Sequence, residues 1–335
     1  MSDFAGSGRA GRRGANNSEQ AMECSVIIST QNRAVSLKQT LHAFGEVKVP
    51  VGWDVELILV DNASSDCTPE VVKSALIQNF KVRYLYEGKA GKSNALNAGL
   101  SMAQGEALLF TDDDVVPAVD WLEKAATPLL RRECDGVMGQ IQLADELLRP
   151  WMTEDHKWYL AVSGSPAAAT QELVGANMGL HRSVFQRIPG FDPELGPGAS
   201  GFGEETLLTW QMQEAGLRLK AVPDALVIHH PDASRLLRSQ WLNGAAKRGC
   251  SLAYLLYHWR HAELRLSWVR YNYLLAKLSL RRKLQAPPLT DGEGCPPWEM
   301  SYVAEMALCR QFLAERKRPR NYTLRGLQEN KSTAI

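Results

Sequence analysis

Three consecutive carboxylates, Asp112, Asp113 and Asp114, close the apolar run Ala107-Leu108-Leu109-Phe110 after a single Thr111. Carboxylate oxygens suit hard divalent cations, and Mg²⁺ usually takes one or two of them and completes its shell with substrate phosphates. An apolar run of this length fits a buried strand, and residues two apart on an extended backbone point to one side. Asp112 and Asp114 are therefore expected to grip one cation together, which implies a substrate carrying a diphosphate. The alternative is a solvated acidic turn, because Asp is a common turn residue.

The elements upstream favour the first reading. Cys24 to Thr30 is an apolar run that leads into Gln31-Asn32-Arg33 and an amphipathic stretch through Leu37, Leu41 and Phe44. Val55 to Val60 leads into Asp61-Asn62-Ala63-Ser64-Ser65-Asp66, with a helix opening near Thr68. Val82 to Tyr86 leads into Gly88-Lys89-Ala90-Gly91-Lys92-Ser93-Asn94 and a helix through Ala95, Leu96, Ala98 and Leu100. Strands alternating with helices predict an α/β fold with a mainly parallel sheet flanked by helices, and such sheets bind ligands beyond the carboxyl ends of their strands. Every polar cluster above falls at such an end.

These segments, in order, resemble the family 2 glycosyltransferases with the GT-A fold, a Rossmann-like architecture. Ser25 to Arg33 looks like that family's opening strand and Glu56 to Asp66 like its second. Gly91-Lys92-Ser93-Asn94-Ala95-Leu96-Asn97-Ala98-Gly99 looks like the segment before its metal motif, and Thr111-Asp112-Asp113-Asp114 like the Asp-x-Asp motif itself. Gly190-Phe191-Asp192 and Gly201-Phe202-Gly203-Glu204-Glu205-Thr206 resemble the acceptor-side signature, and the likeness runs from about residue 24 to 230.

The resemblance implies a single inverting displacement that moves a sugar from a nucleoside diphosphate sugar to a hydroxyl of a glycan, lipid or small molecule. It makes Asp114 the direct ligand of Mg²⁺ or Mn²⁺ and Asp112 a contact to ribose, metal or both. Asp113 stays ambiguous, because three acids in a row allow two registers. Asp61 corresponds to the residue that reads the base, with a turn cap as its alternative; Thr30, Asn32 and Arg33 line the nucleotide pocket. Lys92 would lie near base or phosphates, or be a solvated helix start. His229, ending the run Ala225 to Ile228, is a candidate metal or diphosphate contact, with His230 beside it. Uridine is the preferred base.

A general base must take the hydroxyl proton, and it must reach that proton within hydrogen-bond distance. Glu204 and Glu205 are the candidates. Glu205 stands where the family usually carries Asp. Acids are also favoured in a helix's first turn by its dipole, but that does not explain the glycine-rich approach from Gly196 to Gly203, which suits a loop bordering a site. Trp121 and Asn177 fall in regions that shape the sugar and acceptor pockets in the family. Trp121 suits core packing equally, and Asn177 could read a hydroxyl. Two rival readings remain. A sugar nucleotidyltransferase usually needs a glycine-rich loop after the first strand, and Ser29 to Arg33 has no glycine. An inactive nucleotide-binding relative would not need carboxylates on both sides.

Composition fits a globular enzyme: 335 residues, 45% hydrophobic, 22% charged, net charge +1, which gives no general attraction to nucleic acid. The six cysteines are scattered without metal-ligand spacing and read as reduced thiols of a cytoplasmic protein, or of one peripheral at the inner membrane face. Residues 1–22 lack an apolar core and read as a disordered tail, neither signal peptide nor span. The expected division is a GT-A domain over 23–230, with a donor half 23–115 and an acceptor half 116–230. A basic, aromatic-rich helical extension over 231–315 and a mobile tail over 316–335 follow. The stretch from Pro231 to Lys283 carries eleven Arg or Lys against Asp232 and Glu263. It is expected to pack on the catalytic domain and to make peripheral membrane contact, with Arg248 as a candidate basic lid over the diphosphate. A last helix is expected from Trp298 to Glu315.

Overall fold

The structure, a computed structural model, describes residues 23–162, 172–285 and 292–327. The tail expected over 1–22, the break at Ala286-Pro287-Pro288 and residues 328–335 lie outside them. The chain alternates β1 (Cys24–Thr30), α1 (Ala34–Gly45), β2 (Val55–Asp61), α2 (Thr68–Ser74), β3 (Lys81–Tyr86), α3 (Lys92–Met102) and β4 (Ala107–Thr111). It continues with β5 (Val115–Pro117), α4 (Trp121–Leu130), β6 (Gly136–Leu143), α5 (Glu154–Tyr159), β7 (Asn177–His181), α6 (Glu204–Glu214) and β8 (Leu219–His229). Three long helices follow, α7 (Arg238–Tyr254), α8 (Ser267–Gln285) and α9 (Pro297–Glu315).

All eight strands join one sheet in the order β3-β2-β1-β4-β7-β6-β8-β5. The first four are mutually parallel, as expected, and β6 pairs parallel with β8. β7 runs antiparallel to both β4 and β6, and β5 antiparallel to β8, so the sheet is mainly parallel, as expected, with β5 and β7 reversed. The physical reason is the connection: β6 reaches β7 by an excursion through α5 that brings the chain back reversed, where a parallel pair needs a full crossover.

Alternate residues of the central strands feed two cores. Val26, Ile28, Leu57 and Leu59 meet Leu37, Leu41 and Phe44 of α1 and Trp121 of α4 on one face, while Ile27, Ile58 and Phe110 meet Leu96 of α3 and Leu208 of α6 on the other. Burial on both faces is why these strands read as continuous apolar runs. Register levels the strand ends: Thr30 lies opposite Asp61, Asp61 opposite Tyr86, and Ile28 opposite Thr111. The polar turns that follow therefore open at one rim, beside the point where strand direction reverses.

The basic, aromatic-rich stretch divides. Trp241, Tyr254 and Trp259 are buried, whereas Trp268 and Tyr273 are exposed. α7 packs closely on α9 because Gly249 has no side chain; a Cβ there would stand 2.0 Å from the Ala304 carbonyl oxygen. Residues 316–327, expected to belong to a mobile tail, instead return to the α/β core. Tyr322 is buried and its hydroxyl donates to Asp192 Oδ2 at 2.7 Å, while Arg318 and Asn321 donate to Glu194. A buried ring and three polar anchors offset the entropy of ordering the segment. Among the described residues no helix is long and apolar enough to cross a membrane.

Candidate active site

β4 stops at Thr111, and Asp112 to Asp114 form a turn into β5 rather than an extension of the strand. The expected sharing of one side by Asp112 and Asp114 is thereby overturned. A single guanidinium nitrogen, Arg33 Nη1, bonds Asp113 Oδ1 at 3.0 Å and Asp114 Oδ2 at 2.7 Å. Asp113 also accepts from Thr30 Oγ1 at 2.7 Å, and Asp112 turns the other way, accepting from Lys92 Nζ at 2.5 Å. Burial, reinforced by the neighbouring carboxylates, pushes Asp113 up to about 6 against the pull of Arg33. For Asp114, burial works against the charged form, but His229, Arg33 and Arg235 outweigh it and hold the carboxyl below the usual range.

His229, at the end of β8, completes this corner. Its Nδ1 lies 2.7 Å from the Leu160 carbonyl oxygen, which can only accept, so Nδ1 carries hydrogen. Its Nε2 faces Asp114 Oδ1 at 3.2 Å, and that buried oxygen has no hydrogen-bond partner if the ring is neutral. Two lone pairs then confront each other, and a proton or a divalent cation between them satisfies both. A backbone carbonyl that orients an imidazole in this way is a common support for a metal-binding histidine. Among the described residues no three His, Cys, Asp or Glu converge on one cation-sized point. The pair therefore suits an ion that draws its remaining ligands from substrate and water.

Across the cavity lies the second pair of carboxylates. Gly91, with φ +116°, turns the chain into α3, and Lys92 N donates to the Pro197 carbonyl at 2.9 Å. This holds the glycine-rich loop against the start of α3; a Cβ on Gly198 would stand 2.8 Å from Gly91. Lys92 Nζ thus reaches Asp112 on one side and Glu205 Oε1, 3.9 Å away, on the other. Burial opposes its charge, but Asp112, Glu205 and Glu204 raise its pKa and keep it protonated. Glu205 fits because Gly175 lacks a side chain, whose Cβ would meet its Oε1 at 2.3 Å.

Glu204, the first residue of α6, is buried against Gly196, and its Oε2 has no partner. Burial first, and the Glu205 charge second, push its pKa well above the ordinary value of 4.5. The two glutamates are therefore different groups: Glu204 holds a proton inside, and Glu205 faces the cavity. Since the folded state keeps a proton that the unfolded chain releases near 4.5, this group's contribution to stability is present at low pH and lost as pH rises. Glu204→Gln should therefore be more stable relative to the wild type at about pH 8 than at about pH 5. Urea unfolding of both proteins at the two pH values checks this, and a constant difference refutes it.

These groups line one cavity of about 370 Å³, together with Ser29, Gln31, Asn62, Trp158, Tyr159 and Phe202. Residues 25–188 match the family model described as Glycosyl transferase family 2. That segment belongs to glycosyltransferase family 2. A curated relative, Probable glycosyltransferase YdaM of Bacillus subtilis (strain 168), is 25% identical over 252 residues, 68% of this chain and 56% of the relative. The chain thus spans little more than half of that relative's length. Two solved structures share the fold. Mannosyltransferase PcManGT from Pyrobaculum calidifontis, in complex with GDP-Man and Mn²⁺, superposes with a TM-score of 0.53 at 22% identity, covering 89% of this chain and 76% of that one. S. aureus TarS 1-349 in complex with UDP gives 0.50 at 16% identity, covering 92% and 97%. The architecture is GT-A.

Several expected site residues are placed elsewhere. Asp61 is buried and both its oxygens are engaged, Oδ1 by the Ser64 backbone N–H and Oδ2 by the Tyr84 hydroxyl, as the turn-cap alternative describes. Asn32 is exposed, and its amide oxygen caps Ser65 instead of entering the cavity. Trp121 is core, and its Nε1 donates to Asn177 Oδ1 at 2.9 Å. Asn177 gives its two amide hydrogens to the carbonyls of Gln140 and Ala225, which leaves it no role in reading a hydroxyl. His230 points to Glu146 at 3.2 Å, outside the cavity. Arg248 stacks 4.3 Å over Trp158 and is no lid.

The cation of the basic stretch that lines the cavity is Arg235, bonded to the Tyr159 carbonyl at 3.0 Å. Burial lowers its pKa, with Asp114 opposing the shift. Sequence reasoning counted Arg235 only in a basic stretch; its signal was its position six residues beyond the His229 strand end. The stacked rings of Trp158 and Phe202, 6.1 Å apart, were also missed and line the same cavity as Glu205.

Proposed function

We propose that this chain is an inverting, metal-dependent glycosyltransferase that moves a sugar from a nucleoside diphosphate sugar to a hydroxyl of a glycan, lipid or small molecule. One observation carries the reading: a single cavity is lined by Asp114, His229, Arg33 and Arg235 together with Glu205. In this reading the acceptor oxygen attacks the anomeric carbon, the bond from that carbon to the diphosphate breaks, and Glu205 takes the hydroxyl proton. Arg33 and Arg235 hold the departing diphosphate and offset its growing charge. A divalent cation at Asp114 and His229 supplies Lewis-acid stabilisation of the same oxygens when bound. Lys92 holds Glu205 in place from 3.9 Å, and Trp158 with Phe202 gives the acceptor sugar or lipid carrier an apolar face.

Calorimetric titration with UDP, GDP and dTDP, with Mn²⁺ and with chelator, tests the donor half. One nucleotide should bind, uridine being the first choice, and chelator or Asp114→Asn should lower its affinity by about tenfold or more. Failure of all three nucleotides to bind the folded protein sinks the reading. Binding that ignores chelator sinks its metal.

A further inference from the structure

We propose that the outward face of α8 docks this chain on an anionic membrane surface. α8 buries Ser267, Leu274 and Leu278 toward the body of the protein, leaning on α9. Residues spaced by three and four share a helix face, and a second apolar stripe recurs on the opposite side at Val269, Tyr273, Ala276, Leu280 and Leu284. Their large members are open to solvent: Val269 is 50% exposed, Tyr273 57%, Leu280 59% and Leu284 75%. Trp268, 68% exposed, stands at the helix start. An apolar stripe of this length is costly in water and marks a surface that something covers.

Charge identifies the occupant. α8 carries Arg270, Lys277, Arg281, Arg282 and Lys283 and not one acid. Arg270 pairs with Glu305 and Arg282 with Glu299, Arg281 lies over Trp298, and Lys277 leans over the Tyr273 ring. These contacts leave the pairs partly exposed, and Lys277 and Lys283 flank the stripe. A second copy seated on it would bring like charges together along the seam, where paired helices need opposite ones. A layer of anionic headgroups takes both features at once: cations settle among phosphates while Val269, Leu280 and Leu284 enter the acyl boundary. With five cations in 19 residues, α8 lies in the interface and does not cross it.

Flotation of the whole chain with phosphatidylcholine vesicles, with and without phosphatidylglycerol, tests the proposal. The protein should float with the anionic vesicles and about tenfold less with neutral ones, and salt should release it. Leu280→Ser with Leu284→Ser, and separately Lys277→Glu with Lys283→Glu, should each cut binding by about tenfold or more without changing the thermal melt. No binding to anionic vesicles, equal binding to neutral ones, or binding that survives both double substitutions overturns it. So does a vesicle-free dimer in sedimentation velocity that Leu280→Ser with Leu284→Ser dissociates, since the stripe would then be a seam between copies.

Discussion

Glu205→Gln should lower turnover by about 10²- to 10⁴-fold, the usual worth of a positioned general base, while nucleotide affinity stays within about threefold. The split follows from geometry. Glu205 takes no part in the contacts of Asp114 with Arg33 and His229, and its Oε1 lies 3.9 Å from Lys92 Nζ. Gln keeps the shape that fits beside Gly175 but cannot take a proton. Single-turnover assays with a nucleotide sugar, alongside titration of the free nucleoside diphosphate, separate the two effects. Turnover within about tenfold of the wild type would move the base elsewhere. Glu204 would not inherit the role, since it is buried and already holds a proton.

Asn177→Ala should cost about 3–5 kcal/mol of stability and leave the chemistry of the folded protein intact. The Asn177 side chain serves three buried partners at once: the Trp121 indole N–H and the carbonyls of Gln140 and Ala225. Ala leaves all of them unpaired beside a void, and each buried polar group without a partner costs about 1–3 kcal/mol. The fit is close enough that Gly139 must lack a side chain; a Cβ there would stand 2.2 Å from Asn177 Nδ2. Denaturant unfolding measures the loss. A variant of normal stability with weakened substrate affinity would return Asn177 to the pocket.

These two residues mark how far the sequence could be read. The strands were legible because β1, β2 and β4 are buried on both faces and so are apolar throughout, and the polar residues at their ends had nowhere to go but the rim. Asp114, just past the end of β4, could be named from such a position, and Glu205 from the glycine-rich approach to α6. What stayed hidden depended on pairings across the chain. The direction of β7 is set by the path from β6 through α5, which carries no local periodicity. Asp112 and Asp114 diverge because Arg33 and Lys92, from two other turns, pull them to opposite sides. Asn177 has the composition of a sugar-reading residue, and only its three partners show that it braces β6, β8 and α4. Arg235 contributes a site cation from a segment whose abundance of basic residues masked it.

The anchoring of Asp192 by Tyr254 and Tyr322 bears on how the protein comes to be built. Asp192 leads into the glycine-rich loop that presents Glu204 and Glu205, and the Tyr322 hydroxyl that closes on it comes from a residue 130 positions later. On the ribosome the sheet and the donor carboxylates can therefore assemble while the acceptor loop still lacks its last tether. The loop gains that anchor only once residues 318–322, near the end of the described chain, have been made and dock.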